Sequence, residues 1–210
     1  MLAAVEKGDV KKVVELIRQD PSFKVNVGQD GNDDTLLHYA CWETCSSVVI
    51  PLLLAHPDID ANSSDRFGRT PFYLACDYGH TSCVREMLKD SRVKVNEPHS
   101  EGQTPLSMAA FNGHLEVIKW WIASGREMNL LKPGSQMDAI EKARWNGKKE
   151  VVTLLERFKK DATKTRSEIR KELGINGQYS NYSVQSYPFH LFHSQFMISS
   201  IFYRHFLLPI

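Results

Sequence analysis

The stretch Gly102–Trp121, GQTPLSMAAFNGHLEVIKWW, places a Thr-Pro pair before one short apolar run and a Gly-His pair before a second. Proline suits the first turn of a helix, where its missing N–H has no intrahelical acceptor and its φ is already set. Thr104 just before it is a natural N-cap. Gly113 ends the first run, because glycine enters the left-handed conformation past a helix end without a Cβ penalty. The stretch therefore predicts two short helices, the second with Val117, Ile118, Trp121 and Ile122 facing inward.

The pattern recurs. In GRTPFYLACDYGHTSCVREML (residues 68–88), Thr70, Ala75 and Gly79 each lie 34 residues before Thr104, Ala109 and Gly113. DTLLHYACWETCSSVVIPLLL (34–54) sets Thr35 and Ala40 a further 35 residues back, with Thr44 in the glycine position. DAIEKARWNGKKEVVTLLERF (138–158) carries Ala143 and Gly147 another 34 along, with Asp138-Ala139 replacing Thr-Pro. The opening MLAAVEKGDVKKVVELI fits only the second half of the frame, from Ala4 and Gly8. Pro51 falls within the first turn after Ser46 or Ser47, where no intrahelical donor is lost. Helices this short are well below the roughly 12–15 residues at which isolated helices become even marginal. Stacked neighbours must supply the missing burial, and a fixed period of this size is the mark of a solenoid.

On TPFYLACDYGH and TPLSMAAFNGH, with TLLHYAC as a looser copy, the chain resembles the ankyrin-repeat family. The resemblance covers about residues 1–158 and implies an all-α repeat solenoid of about five helix-turn-helix units with short hairpin loops. The connecting stretches KVNVGQDGNDDT, DANSSDRFGRT and KVNEPHSEGQT are polar and turn-rich, as projecting hairpins require. Residues 159–173 read as a basic helical extension able to shield the last repeat, and 174–210 as a Ser- and aromatic-rich tail. The tail is expected to be poorly ordered or an aberrant chain end, the alternative being a segment at a lipid interface or for partner binding. His190, His193, Arg204 and His205 interrupt every window long enough to span a bilayer.

Composition narrows the function. The chain of 210 residues has 26 basic and 25 acidic residues and a formal net charge of +1. This is not the basic footprint of a nucleic-acid-binding domain. Four cysteines, at 41, 45, 76 and 83, fall mostly on core positions of the frame, and no export signal opens the chain. A reducing compartment, the cytoplasm or the nucleus, is expected. His38, Cys41 and Cys45 have ligand-like spacing, but Cys41 should face the core and no fourth donor is near, so no metal is expected. His38, His80 and His114 are explained by repeat position, the resemblance implying that His38 bonds within and between neighbouring loops. With no phosphate loop and no activated nucleophile, the expectation is a non-enzyme without cofactor or small-molecule substrate.

The resemblance implies a partner protein in the concave groove, against the hairpin tips and the exposed side of each first helix. The two residues before each helix-ending glycine then face it: Trp42 and Glu43, Asp77 and Tyr78, Phe111 and Asn112, Trp145 and Asn146. Each complete repeat thus contributes one aromatic. The hairpin tips add Arg66, Phe67 and Arg69 from one repeat and Ser100, Glu101 and Gln103 from the next. Aromatics and arginine are enriched at interface hot spots. Trp121 reads as core, and Trp120 as partly exposed on the convex side. The expected function is a monomeric scaffold or adaptor for protein–protein interaction. The alternative is an adaptor tethered to a membrane-associated complex through the tail.

Overall fold

The computed structural model describes residues 1–20, 24–28, 31–42, 46–130 and 137–175. Among them the regular structure is helical: α1 (Leu2–Glu6), α2 (Val10–Gln19), α3 (Leu36–Trp42), a 3₁₀ turn (Ser46–Val49) leading into α4 (Ile50–Leu54), α5 (Pro71–Asp77), α6 (Thr81–Leu88), α7 (Pro105–Asn112), α8 (Leu115–Ser124), α9 (Ala139–Trp145), α10 (Lys149–Lys160) and α11 (Ala162–Glu172). The first ten form five antiparallel pairs. First helices α1, α3, α5, α7 and α9 pack in one layer, and α4, α6, α8 and α10 pack in a second. The chain is an all-α repeat solenoid.

The punctuation acts as its chemistry dictates. Thr70 and Thr104 accept hydrogen bonds on Oγ1 from the amides of Tyr73 and Ser107. Gly79, Gly113 and Gly147 stand at φ +75°, +83° and +70°. Repeat five keeps its start without Thr-Pro, because Asp138 Oδ1 accepts from the Glu141 amide at 2.7 Å while Glu141 Oε2 accepts from the Asp138 amide at 2.9 Å. That reciprocal box satisfies two of the otherwise unpaired N–H groups. The second helix of repeat two differs from expectation, opening as a 3₁₀ turn before the five residues of α4. Pro51 stands in the first turn of α4, where its missing N–H has no intrahelical acceptor, as expected.

The core lies between the layers and runs unbroken along the stack. Val5, Leu36, Leu37, Ile50, Leu53, Phe72, Met87, Leu106, Ile118, Trp121, Ile122 and Leu155 are all buried in it. Phe72 of α5 meets Trp121 of α8 edge to face, ring centroids 5.1 Å apart, across the boundary between the third and fourth repeats.

Two polar ladders tie successive repeats. On the loops after the second helices, Asn26, Asn62 and Asn96 each donate through Nδ2 to a carbonyl of the next repeat (Asp58, Arg92, Glu127). Each also accepts on Oδ1 from an amide there (Asp60, Lys94, Asn129). At the hairpins, the Arg66 amide donates to the Asn32 carbonyl and the Ser100 amide to the Phe67 carbonyl. These contacts bring Gly68, at φ +77°, so close to its neighbour that an added Cβ would sit 2.7 Å from the Ser100 backbone nitrogen. Gly68→Ala is therefore expected to lower stability by about 1–3 kcal/mol, from the strained φ and the clash with an immovable backbone atom. Chemical denaturation measures it, and a midpoint equal to that of the parent protein would show that the hairpins can slide apart freely.

Helix α11 lies against α8 and α10. Ile169 is buried there, and Arg166 and Arg170 donate through Nε to the carbonyls of Ile122 and Ala123, near the end of α8. The last turn of a helix leaves carbonyls unpaired, and guanidinium donors satisfy both the hydrogen bonds and the helix dipole. Lys119 links α8 to α11 through Glu172 at 2.7 Å.

Candidate functional site: the first-helix face and hairpin tips

Between repeats, the first-helix ends are joined by side chains reaching back. His80 Nε2 donates to the Trp42 carbonyl at 2.6 Å, and His114 Nε2 to the Asp77 carbonyl at 2.9 Å. Asn112 Nδ2 reaches both the carbonyl and the Oδ1 of Asp77, and Asn146 Nδ2 reaches the Phe111 carbonyl at 2.7 Å. Each of the main-chain bonds satisfies a carbonyl that the helix end would leave open. His38 occupies a different niche. Its Nδ1 accepts from the Thr35 amide at 3.0 Å, and its Nε2 bonds the Arg69 carbonyl of the next repeat at 3.0 Å. The bonding within and between loops expected of His38 is present.

The aromatics sit at the ends of these first helices, but in two pairs. Trp42 stacks with Tyr78 at 6.1 Å between ring centroids, Tyr39 stacks with Trp42 at 6.3 Å, and His80 stacks with Tyr78 at 6.0 Å. Phe111 lies against Trp145 at 6.0 Å. Trp42 is 39% exposed, Tyr78 44% and Trp145 75%. Trp42, Phe111 and Trp145 hold equivalent repeat positions, whereas Tyr78 falls one residue later, and Asp77 holds the equivalent position in its repeat. Glu43 and Cys45 lie outside the described residues, as does the tail from 176 onward.

At the neighbouring tip, two guanidiniums lie against the exposed Phe67 ring, Arg66 at 4.6 Å and Arg69 at 4.8 Å from its centroid. The two arginines differ in availability. Arg69 is committed internally, its NH2 2.6 Å from Asp65 Oδ2, while Arg66 projects outward, exposed. Asp65 itself is buried and accepts from the Phe67 and Arg69 amides. In the next hairpin His99 fills that register, its Nδ1 accepting from the Glu101 amide at 2.8 Å. There Glu101 is exposed and Gln103 half-buried, and the Tyr73 ring meets His99 at 5.1 Å.

The three cysteines among the described residues are held as thiols. Cys41, Cys76 and Cys83 are free and buried, and burial pushes all three thiols up, Cys83 to about 11. A nucleophile or a metal ligand must be deprotonated. Cys41 is buried in the core and donates to Met87 Sδ at 3.2 Å. Among the described residues no three His, Cys, Asp or Glu side chains gather as a metal site, and no helix is long and apolar enough to cross a membrane.

Stacked helix pairs with a polar tip-and-aromatic face define a helical-repeat scaffold whose distinctive surface lies outside its core. The family profile of ankyrin repeats, in three copies, matches residues 46–132, and that part of the chain carries ankyrin repeats. It is similar to SMC5-SMC6 complex localization factor protein 1, being 40% identical to the Homo sapiens protein over 92 residues (44% of this chain and 9% of that one). The Bos taurus protein is 38% identical over 103 residues, 49% of this chain and 10% of that one. A longer match, 26% identical over 155 residues, covers 70% of this chain and 19% of the Mus musculus serine/threonine-protein kinase TNNI3K. The matches with the localization factors thus span about a tenth of those proteins' length. Ankyrin repeats are protein–protein interaction modules.

Proposed function

We propose that the chain is a non-enzymatic recruitment module that holds a partner protein along the first-helix face, between the hairpin tips and the aromatic pairs. The supporting observation is the placement of Trp42, Tyr78 and Trp145, large apolar side chains that are 39–75% exposed although the core beside them is complete. An exposed aromatic row stabilises the fold little and suits a binding surface. Within it, Tyr78 and Phe111 supply the central contacts, with Trp42 and Trp145 at the ends, and Asp77, Asn112, Glu101 and Gln103 set polar register. Arg66 and Phe67 form the projecting tip, and Arg69 acts through Asp65 as its brace rather than as a free cation. The stacked scaffold is preformed, so its own ordering costs little at binding. A role in placing another protein is in keeping with the name of the relatives matched, localization factors for a complex.

Truncating either central aromatic is expected to weaken the partner complex by about 1–3 kcal/mol. Capture from a native lysate with the parent chain and with Tyr78→Ala/Phe111→Ala, both checked for helicity by circular dichroism, measures it. Proteins retained by the parent and lost by the variant are expected. Equal retention of every captured protein would remove the aromatic face from consideration.

A further inference from the structure

One position of the aromatic row carries a charge. Trp42, Asp77, Phe111 and Trp145 occupy the same place in successive repeats, so Asp77 interrupts the row with an aromatic on either side. Tyr78, the next residue, turns its ring onto Trp42, which leaves Asp77 between the Trp42–Tyr78 and Phe111–Trp145 pairs.

The repeat ladder does not require that carboxylate. Asn112 Nδ2 bonds both the main-chain carbonyl and the Oδ1 of Asp77, each at 2.9 Å. One repeat later Asn146 makes the same main-chain bond to Phe111, which has no carboxylate to offer. The basic groups near Asp77 are engaged elsewhere: Arg69 with Asp65, His114 with Asp77's own main-chain carbonyl, and His99 with the Glu101 amide and the Tyr73 ring. Burial holds the Asp77 carboxyl above the usual carboxylate range, against the hydrogen bond from Asn112 and the fields of Arg69, His114 and His99. A half-buried carboxylate beside aromatic faces is matched by a basic side chain, whose aliphatic stem lies on the rings while its head bonds the oxygen.

Building on the recruitment reading above, we propose that Asp77, with the Trp42–Tyr78 and Phe111–Trp145 pairs on either side, is the subsite for a lysine or arginine of an extended partner segment. The cation gains a charge-assisted bond in a partly dehydrated site, and the flanking pairs take up its apolar neighbours.

The test uses a phage-displayed library of random dodecapeptides, selected on the full chain and on Asp77→Asn, an isostere that keeps the acceptor for Asn112. Circular dichroism melting confirms that the variant folds. Selection on the parent is expected to enrich one basic position. The leading peptide, labelled with fluorescein and titrated by anisotropy, should lose about tenfold in affinity on Asp77→Asn. It should lose as much when its basic residue becomes norleucine, and no more when both changes are combined. Acidification should weaken binding to the parent at a pH above that of an ordinary carboxylate, because protonation removes the charge, and leave the variant flat. Leading peptides that lack a basic residue, or bind Asp77→Asn equally well, yet are weakened by Trp42→Ala/Phe111→Ala, overturn the Asp77 subsite alone. If no peptide is enriched, or the enriched ones ignore Trp42→Ala/Phe111→Ala, the face itself is not the binding surface and both readings fall.

Discussion

Trp121→Ala is expected to lower stability by about 3–5 kcal/mol, the range for deleting a large aromatic from a core. Trp121 is fully buried, meets Phe72 edge to face, and donates through Nε1 to the Glu127 carbonyl at 3.1 Å. Truncation opens a cavity, removes the ring contact and leaves that carbonyl with the longer bond from Asn96 Nδ2 alone. The position matters as much as the volume. Phe72 belongs to the third repeat and Trp121 to the fourth, and a solenoid holds together only through contacts between neighbours. The loss should therefore weaken coupling as well as total stability, turning a single thermal transition into two, with the midpoint lowered by about 10 °C. Trp120, the adjacent residue, is the internal control. It is partly exposed, and the Arg85 guanidinium lies over its ring at 5.3 Å. Trp120→Ala should cost about 1 kcal/mol. Equal melting of the two variants would contradict the packing described for Trp121.

Asp65→Ala is the second large effect, expected at about 2–4 kcal/mol and concentrated in one hairpin. The Asp65 side chain has no exposure, and its two oxygens receive the Phe67 amide at 2.9 Å, the Arg69 amide at 2.8 Å and the Arg69 guanidinium at 2.6 Å. Alanine leaves two turn amides unpaired and a guanidinium without its anion. Arg69 is 23% exposed at its side chain, so it can recover some hydration, which keeps the cost below that of a fully buried charge. The same change frees one of the two guanidiniums holding the Phe67 ring. Amide hydrogen exchange should show protection lost at Phe67, Arg69 and Ser100 and kept in α8. A uniform loss across the stack would mean that the hairpin is not a separable unit. Because the carboxylate is buried, added salt should change the effect little.

Much of the fold was legible because its determinants are local. A Thr-Pro start, an alanine at the crossing and a glycine stop each act within one turn of backbone, so counting at 34 or 35 residues finds them. Asp138 was less obvious without proline, yet the Glu three residues on is itself a cap signal. The Asn26, Asn62 and Asn96 ladder left a trace in KVN, DAN and KVN, but an asparagine in a polar loop has many uses, and its partners lie 30 or more residues away. The candidate site was legible as a set of residues and not as an arrangement. Counting found an aromatic per repeat, whereas the pairing of Trp42 with Tyr78 and of Phe111 with Trp145 depends on how one repeat sits on the next.

Periodicity, capping and glycine placement alone determined that this chain stacks short helix pairs, which helix faces go inward, and that the thiols of Cys41, Cys76 and Cys83 lie in the core. Those properties follow from backbone dihedrals and from the burial that short helices cannot obtain singly. The stack itself decided that Arg69 braces Asp65 while Arg66 is exposed, that histidines 80 and 114 close carbonyls of neighbouring repeats, and that Asp77 stands between two aromatic pairs. Each of those joins side chains or backbone groups whose distance is set by the packing of neighbouring elements, a quantity that no single helix or turn contains.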